Sequence, residues 1–394
     1  MPKFTQPLPK NHMDTTSVSR SFASSSSARA STRAGFFSFG LFLSAWAPLA
    51  PLAKLRLHLS DSHFGLALLC FGLGCLVAMP VGTALAARFG CRKVILSAGP
   101  LVCACLYLLA TTENPAVLVA SLLVFGSGLG VTESAMNLQA AVVQRSHDEP
   151  LMSGFHAWFS IGCIAGATGV SALLSAGLSA KFAVGCISAI LVFIWSYYGK
   201  DFLVATNEGS KFALTLPKGR VLWIGVLCFI SFLAEGAMLD WSGVFLTVVK
   251  GFDPSRAGYG YACFAAAMTA GRLSGDFLSR SLQPRRVLWA GALLAALGIG
   301  ALVASSHWLL LMLSFALVGF GLANIVPSLF LVVARQHVMP IAVAMPVVAT
   351  IGYAGMLTGP AFLGTIAEQA SLQTAFLTIA AMLFVIIATA KVAD

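Results

Sequence analysis

Twelve stretches of this chain are apolar over close to the ~20 residues a helix needs to cross the hydrocarbon core of a bilayer, and no other feature narrows the possible folds so far. They occupy residues 35–53, 64–87, 94–111, 116–143, 153–176, 182–198, 221–248, 257–278, 287–304, 308–333, 342–366 and 373–390. Six precede and six follow the longest internal polar connection, 199–220. In hydrocarbon every backbone N–H and C=O must be satisfied within the protein, so stretches of this length read as helices. The expectation is an all-α, polytopic membrane protein: two six-helix bundles, 35–198 and 221–394, joined by a linker at 199–220. A hydrophobic fraction of 58% with only 10% charged residues excludes an ordinary soluble globule, in which about 25% are charged.

A formal charge of +10 would suit nucleic acid only if the basic residues shared one solvated face. Here they sit in short connections between apolar segments, so nucleic acid is set aside as a partner. With the N-terminus in the cytosol, 18 Lys and Arg fall inside and 5 outside, with Arg272 within a segment. The positive-inside rule then places both termini in the cytosol, and a monomer in a bacterial inner (plasma) membrane is expected. Residues 1–34, rich in Ser, Thr and Arg with Asp14 as the single acid, read as a disordered cytosolic tail. Met13 offers a second start, and the acid-poor composition also fits an organellar transit peptide. The nine cysteines show neither zinc spacing nor a disulfide framework and read as small buried hydrophobes. No Gly-x-x-x-x-Gly-Lys-Ser/Thr string occurs, so no cofactor is expected and any pumping must draw on an ion or solute gradient.

The fourth segment carries Phe125-Gly126-Ser127-Gly128-Leu129-Gly130-Val131-Thr132-Glu133-Ser134-Ala135-Met136-Asn137. Almost two hundred residues later Val318-Gly319-Phe320-Gly321-Leu322-Ala323-Asn324-Ile325-Val326-Pro327 returns the same Gly-x-Gly-Leu core, with Val326 where the first copy has Glu133. The chain therefore reads as two related halves, of which one carries the acid. A carboxylate inside a membrane helix costs about 2.5–3.5 kcal/mol on insertion scales unless protonated, hydrated or paired, so Glu133 is either a proton-exchanging group or a structural acid satisfied by neighbouring Ser or backbone groups. Asn137, one turn on along the same face, is a hydrogen-bonding candidate beside it.

Between the second and third segments stands Gly82-Thr83-Ala84-Leu85-Ala86-Ala87-Arg88-Phe89-Gly90-Cys91-Arg92-Lys93. Between the eighth and ninth stands Gly271-Arg272-Leu273-Ser274-Gly275-Asp276-Phe277-Leu278-Ser279-Arg280, with Pro284-Arg285-Arg286 following. Both resemble the short loop signature of the major facilitator superfamily. Glu133-Ser134-Ala135-Met136-Asn137, Leu151-Met152-Ser153-Gly154-Phe155-His156, Glu235-Gly236-Ala237-Met238-Leu239-Asp240-Trp241-Ser242 and the Gly321 to Pro327 string together resemble its bacterial fucose-permease-like or rhizopine-transporter-like branch. The resemblance implies a central cavity lined by the first, fourth, seventh and tenth helices, alternating access, and a sugar or sugar-like solute. It also implies a terminal-side gate of Arg88, Arg92, Arg272, Asp276 and Arg280. Two departures stand out: the first loop copy has Ala86 and Ala87 where the signature has Asp, and the first segment lacks the acid that proton-coupled sugar permeases tend to carry there.

Glu235, well inside the seventh segment, is the second candidate for proton coupling or substrate binding. His156 is placed to relay protons to Glu133, since its unperturbed pKa of about 6.5 suits the task, or else is an interfacial residue bonded to a loop carbonyl. Asp240 is either a gating residue or a helix-end charge, in water or paired with Lys250 or Arg256. Trp46, Trp241 and Asn324 offer two aromatic faces and an amide to a polar ligand, with lipid contact or packing as the alternative for the tryptophans. Gly162-x-x-x-Gly166 and Gly355-x-x-x-Gly359-Pro360 are close-packing motifs. The leading expectation is a proton-coupled symporter of a small polar solute. Behind it stand an exporter of hydrophobic or amphipathic compounds and, further off, a membrane sensor or enzyme, for which no clustered catalytic residues are found.

Overall fold

The computed structural model describes residues 26–147, 151–204, 218–275, 282–336, 338–339 and 341–393. The expected tail up to residue 25, the linker at 205–217, and the expected gate residues Asp276 and Arg280 lie outside them. The described chain is helical throughout: α1 (Ser26–Ala45), α2 (Leu49–Arg56), α3 (Asp61–Phe89), α4 (Cys91–Thr111), α5 (Pro115–Arg145), α6 (Met152–Ser175), α7 (Ala180–Tyr198), α8 (Arg220–Val244), α9 (Gly258–Leu273), α10 (Pro284–Ala304), α11 (Trp308–Leu322), α12 (Ile325–Arg335), α13 (Ile341–Gln369) and α14 (Leu372–Thr389). Eleven spans among the described residues are long and apolar enough to cross a membrane. The twelfth expected crossing, 257–278, is helical over the part described, α9.

Two expected crossings are broken where proline forbids a continuous ladder. The first bends at 46–48, beside Pro48 and Pro51, into α1 and α2, and the tenth breaks at Ala323 and Asn324 ahead of Pro327, whose ring clashes with the carbonyl one turn back. Helix starts at one end of the bundle, hereafter the far end, are built from polar caps. Ser60, Asn114, Ser179 and Ser371 accept from the N–H groups of His63, Ala116, Phe182 and Thr374. The opposite, terminal end carries the start of α1 and the close of α14. There α3 passes directly into α4 through Gly90 at φ 84°, a conformation suited to glycine, with the Val204 carbonyl filling the place of a side chain.

The pairing of helices repeats between halves. In the first, α3 packs on α5, α1 on α6 and α4 on α5; in the second, α9 packs on α11, α8 on α13 and α10 on α11. The repeated glycines explain the correspondence. Gly126 of α5 lies on the backbone of α3 at Phe71, and Gly319 of α11 lies on the backbone of α9 at Phe264. Gly128 faces Val102 of α4, and Gly321 faces Ala295 of α10. Gly162 and Gly166 seat α6 on the Phe37 and Leu41 carbonyls of α1, while Gly355 seats α13 on the Phe229 carbonyl of α8. The Gly-x-x-x-Gly motifs thus act as their spacing suggests.

The halves meet through α3 against α13 and α6 against α9, and the contacts cluster toward the far end. A methyl group on Gly65 would sit 2.5 Å from the Pro360 carbonyl oxygen, and one on Gly364 would press on the Asp61 carbonyl. Gly258 donates its N–H to Ser171 Oγ at 3.1 Å, and the Ser62 N–H reaches Glu368 at 3.3 Å. Trp241 of α8 meets Phe64 of α3 edge to face, centroids 5.6 Å apart.

The polar ends of the first bundle differ from expectation. Residues 26–34 are not tail but the first turns of α1: Thr32 Oγ1 bonds the Ala28 carbonyl at 2.7 Å, and Ser31 Oγ reaches the Asp201 carbonyl at 2.9 Å. Gln139, fully buried, donates to Thr32 Oγ1 at 3.0 Å and accepts from the Leu203 N–H at 3.2 Å. The segment after α7 is therefore pinned beneath the first bundle, Phe202 and Leu203 are buried, and the connection between bundles begins beyond it.

Replacing Gly319 by Ala would press a methyl group into the Phe264 carbonyl, whereas nothing lies within 4 Å of a methyl group on Gly300. Gly319→Ala should lower stability in detergent by about 1–3 kcal/mol, and Gly300→Ala should leave it unchanged or slightly raised. Thermal unfolding of the purified variants checks both.

Candidate functional site

Two acids stand at mid-depth, one per half. Glu133 lies roughly 18 Å along α5 from its terminal end and Glu235 roughly 22 Å along α8 from its own, at ~1.5 Å per residue. Glu235 is held by Arg272 of α9, whose Nη2 lies 3.3 Å from Oε1 and 3.5 Å from Oε2. The Arg272 side chain remains 40% exposed and that of Glu235 22%, so among the described residues most of the guanidinium's five donors are left for another acceptor. Arg272 was expected in a terminal-side gate with Asp276 and Arg280; the structure places its charge deep, on the second acid.

Tyr353 of α13 stands where charges of both halves reach it. Its ring stacks on Phe232 of α8, centroids 5.2 Å apart and 17° from parallel. There it lies within electrostatic reach of Glu133 and Cys75 from the first half and of Glu235 and Arg272 from the second. Tyr261 of α9 lies against Cys163 of α6 and within reach of Glu235 and Arg272. His156 of α6 meets the Phe36 ring edge on, centroids 5.2 Å apart, and is close enough to Arg272 to feel its charge. Acids, a guanidinium, phenols and an imidazole from the two halves therefore lie within electrostatic reach of one another.

Asn137 is half-buried one turn beyond Glu133 and has no hydrogen-bond partner among the described residues, which leaves its amide available. Asn324 is otherwise employed: its Nδ2 donates to the Gly271 carbonyl at 2.7 Å, tying the α11–α12 break to α9. Trp46 and Trp241 are fully buried near the far end, in the contact between halves rather than beside the acids. Asp240 is no solvated helix-end charge. It is 4% exposed, and the two expected partners point elsewhere, Lys250 to the Val303 carbonyl at 2.7 Å and Arg256 over the Trp308 ring. At the terminal end Arg88 is exposed beside the Phe89 ring, and Arg92 is half-buried.

Sequence reasoning missed Tyr353, Tyr261, Cys75 and Cys163. A usable signal existed for the tyrosines, since a phenol in lipid seeks a partner for its hydroxyl and the chain has only six. The cysteines read as any buried hydrophobe.

The family profile for the Major Facilitator Superfamily matches residues 34–338. An uncharacterized MFS-type transporter of Yersinia pestis is 45% identical over 366 residues, 93% of this chain and 95% of its own length. The membrane protein MosC of Rhizobium meliloti is 28% identical over 357 residues, 91% of this chain and 88% of its own. A crystal structure of a mutant of the nucleoside transporter NupG superimposes with a TM-score of 0.79 at 13% identity, covering 93% of this chain and 99% of that one. At that identity the likeness speaks for the fold.

If Arg272 and Glu235 act as one unit, removing either charge should hurt more than removing both. Thermal unfolding of Glu235→Gln, Arg272→Gln and the double variant should give a coupling of about 1 kcal/mol, with the double variant more stable than the sum of the singles predicts. Strictly additive losses would dissolve the pair.

Proposed function

This chain belongs to the major facilitator superfamily, and from that premise we propose that it carries a small polar solute of sugar-like character by alternating access, as a proton-coupled symporter. One observation supports the reading above the others: acids from opposite halves, Glu133 and Glu235, lie within reach of the same tyrosine, Tyr353, while the halves are joined at one end of the molecule. A group sensed from both sides of a moving boundary can report a proton's arrival to both.

In this reading the basic residues place the terminal end in the cytosol, in a bacterial plasma membrane, and the structure is the state closed to the far side. Glu133 is the proton carrier, with no cation of its own half beside it among the described residues, and His156, set between Phe36 and the charge of Arg272, is the group proposed to pass protons inward. Glu235 and Arg272 form the adjustable part of the substrate site. A proton on Glu235 weakens its hold on Arg272 and frees guanidinium donors for solute hydroxyls. Asn137 and the Tyr353 and Tyr261 hydroxyls add further polar contacts. Such a lining, with one guanidinium, two phenols and an amide, favours a polar solute over the amphipathic cargo of an exporter. The solute named for NupG, a nucleoside, is of that polar class.

A stabilisation screen of the purified protein against sugars, polyols and nucleosides identifies the solute. With it in hand, Glu133→Gln should fold normally yet lose the dependence of transport on a proton gradient, with proton-driven uptake falling about a hundredfold or more, the order expected for removing a positioned acid–base group. Undiminished proton-driven accumulation would take Glu133 out of the cycle.

A further inference from the structure

Asp240 is a charge-bearing residue that the proposed transport site does not use. It lies near the far end of α8, on the same face as Gly243 one turn on and Gly236 one turn back. Gly243 packs on the first half, 3.1 Å from the Ala47 carbonyl oxygen and 3.3 Å from Pro51 by a built methyl group, and Gly236 packs on Met356 of α13. The next residue, Trp241, meets Phe64 across the halves. Asp240 is therefore part of the seam that must part if the far end opens.

Within that seam it is 4% exposed and its Oδ1 has no hydrogen-bond partner, a condition shared by Trp241 Nε1, Trp46 Nε1 and Ser242 Oγ. Among the described residues none forms an ion pair with it. On α2, Lys54 is paired with Asp61 at 3.1 Å, and Arg56 is spent on the carbonyls of Leu109, Ala110 and Thr112. On α13, Glu368 holds the Ser62 N–H, and on α3 His63 is bonded to Ser60. Beyond α8, Lys250 and Arg256 are engaged as described and Asp253 caps Ser255. On α9, Arg272 belongs to Glu235, while α11 and α14 carry no charged residue.

An ionised carboxylate left dry and unpaired is the costliest arrangement a seam can contain, whereas a neutral carboxyl is tolerated. We propose that Asp240 is a hydrogen-ion site of the far-end seal, taking up a proton as the halves close over it and returning it to the same side when they part. The proton bound there does not cross with the solute. It sets how readily the transporter closes according to the acidity of the far compartment: acid favours the closed seal, and alkali favours the open one.

The seal can be read without any solute. Ser175 is exposed and Ser255 half-buried, and they meet across the halves, Ser175 Oγ donating to the Ser255 carbonyl at 3.3 Å. Nitroxide labels on Ser175→Cys and Ser255→Cys report closure as strong spin–spin coupling, with the parent chain as control for labelling of the native cysteines. The closed fraction should fall several-fold from mildly acid to mildly alkaline pH, and adding Asp240→Asn should hold the seal closed across the whole range. An Asp240→Asn profile that follows the unsubstituted one overturns the proposal. Should that variant fail to fold, the same labels in a chain combining Glu133→Gln, Glu235→Gln and His156→Gln decide it. A pH response that persists there supports Asp240, and a flat response assigns the titration to the chamber and overturns it.

Discussion

Backbone-to-backbone approach of paired helices, made possible by glycine, is the contact on which the whole molecule rests. Lipid tails are as apolar as leucine, so membrane helices gain nothing by hiding side chains from solvent and must associate through close van der Waals contact and hydrogen bonds. Gly126 on α3 and Gly319 on α9 provide that contact at equivalent places in the two halves. The seam between halves uses the same device at Gly65, Gly364 and Gly258, yet it must be reversible where the others are permanent. What distinguishes it is the polar trim. Ser62 with Glu368, Ser171 with Gly258 and Ser175 with Ser255 exchange hydrogen bonds across it, and each of those groups can turn to water when the surfaces separate.

The charges are placed by the same economy of partners. Near the surfaces, cations are spent on helix ends: Arg56 takes three carbonyls at the close of α4, and Arg220 reaches the Val392 carbonyl. These bonds satisfy groups that no helix can satisfy for itself. At mid-depth the rule changes. Among the described residues Arg272 has only a long contact to Glu235, and Glu133 has no cation of its own half beside it. Groups left under-satisfied in this way are the ones with something still to bind.

Hydropathy and glycine spacing were enough to read the architecture, because both report on the depth and face of a residue, and in a bilayer depth and face nearly determine a helix. They do not report which neighbour a side chain meets. Arg272 looked like a loop-side cation because it opens a basic string, but its long side chain runs back to Glu235. Asn324 and Trp241 looked like ligand contacts because they are polar-tipped in apolar helices; one is consumed by the broken tenth crossing and the other by the seam. Ser31 and Thr32 looked like tail because hydropathy counts a hydroxyl as polar even when a helix carbonyl one turn back absorbs it, as Ala28 does here. Asp240 escaped for the opposite reason. The basic residues Lys250 and Arg256 lie close in sequence, and only three-dimensional placement reveals that both are committed elsewhere.

The fold repeats but the charges do not, and that mismatch gives the chain a direction in which to work. At the place of Glu133 the second half has Val326, half-buried and neutral, while the second half has its own acid already matched by Arg272. With both acids ionised the central charges sum to one negative, and a single proton brings them to neutral. In a region of low dielectric that difference is large, so under the proposed cycle one proton is enough to change whether the two halves can approach across the chamber. A second acid in place of Val326 would demand two protons, and a cation beside Glu133 would demand none. An asymmetric pair of halves, one bearing a lone acid and the other a balanced pair, is the arrangement in which binding one proton and binding one polar solute can each alter the same electrostatic gap.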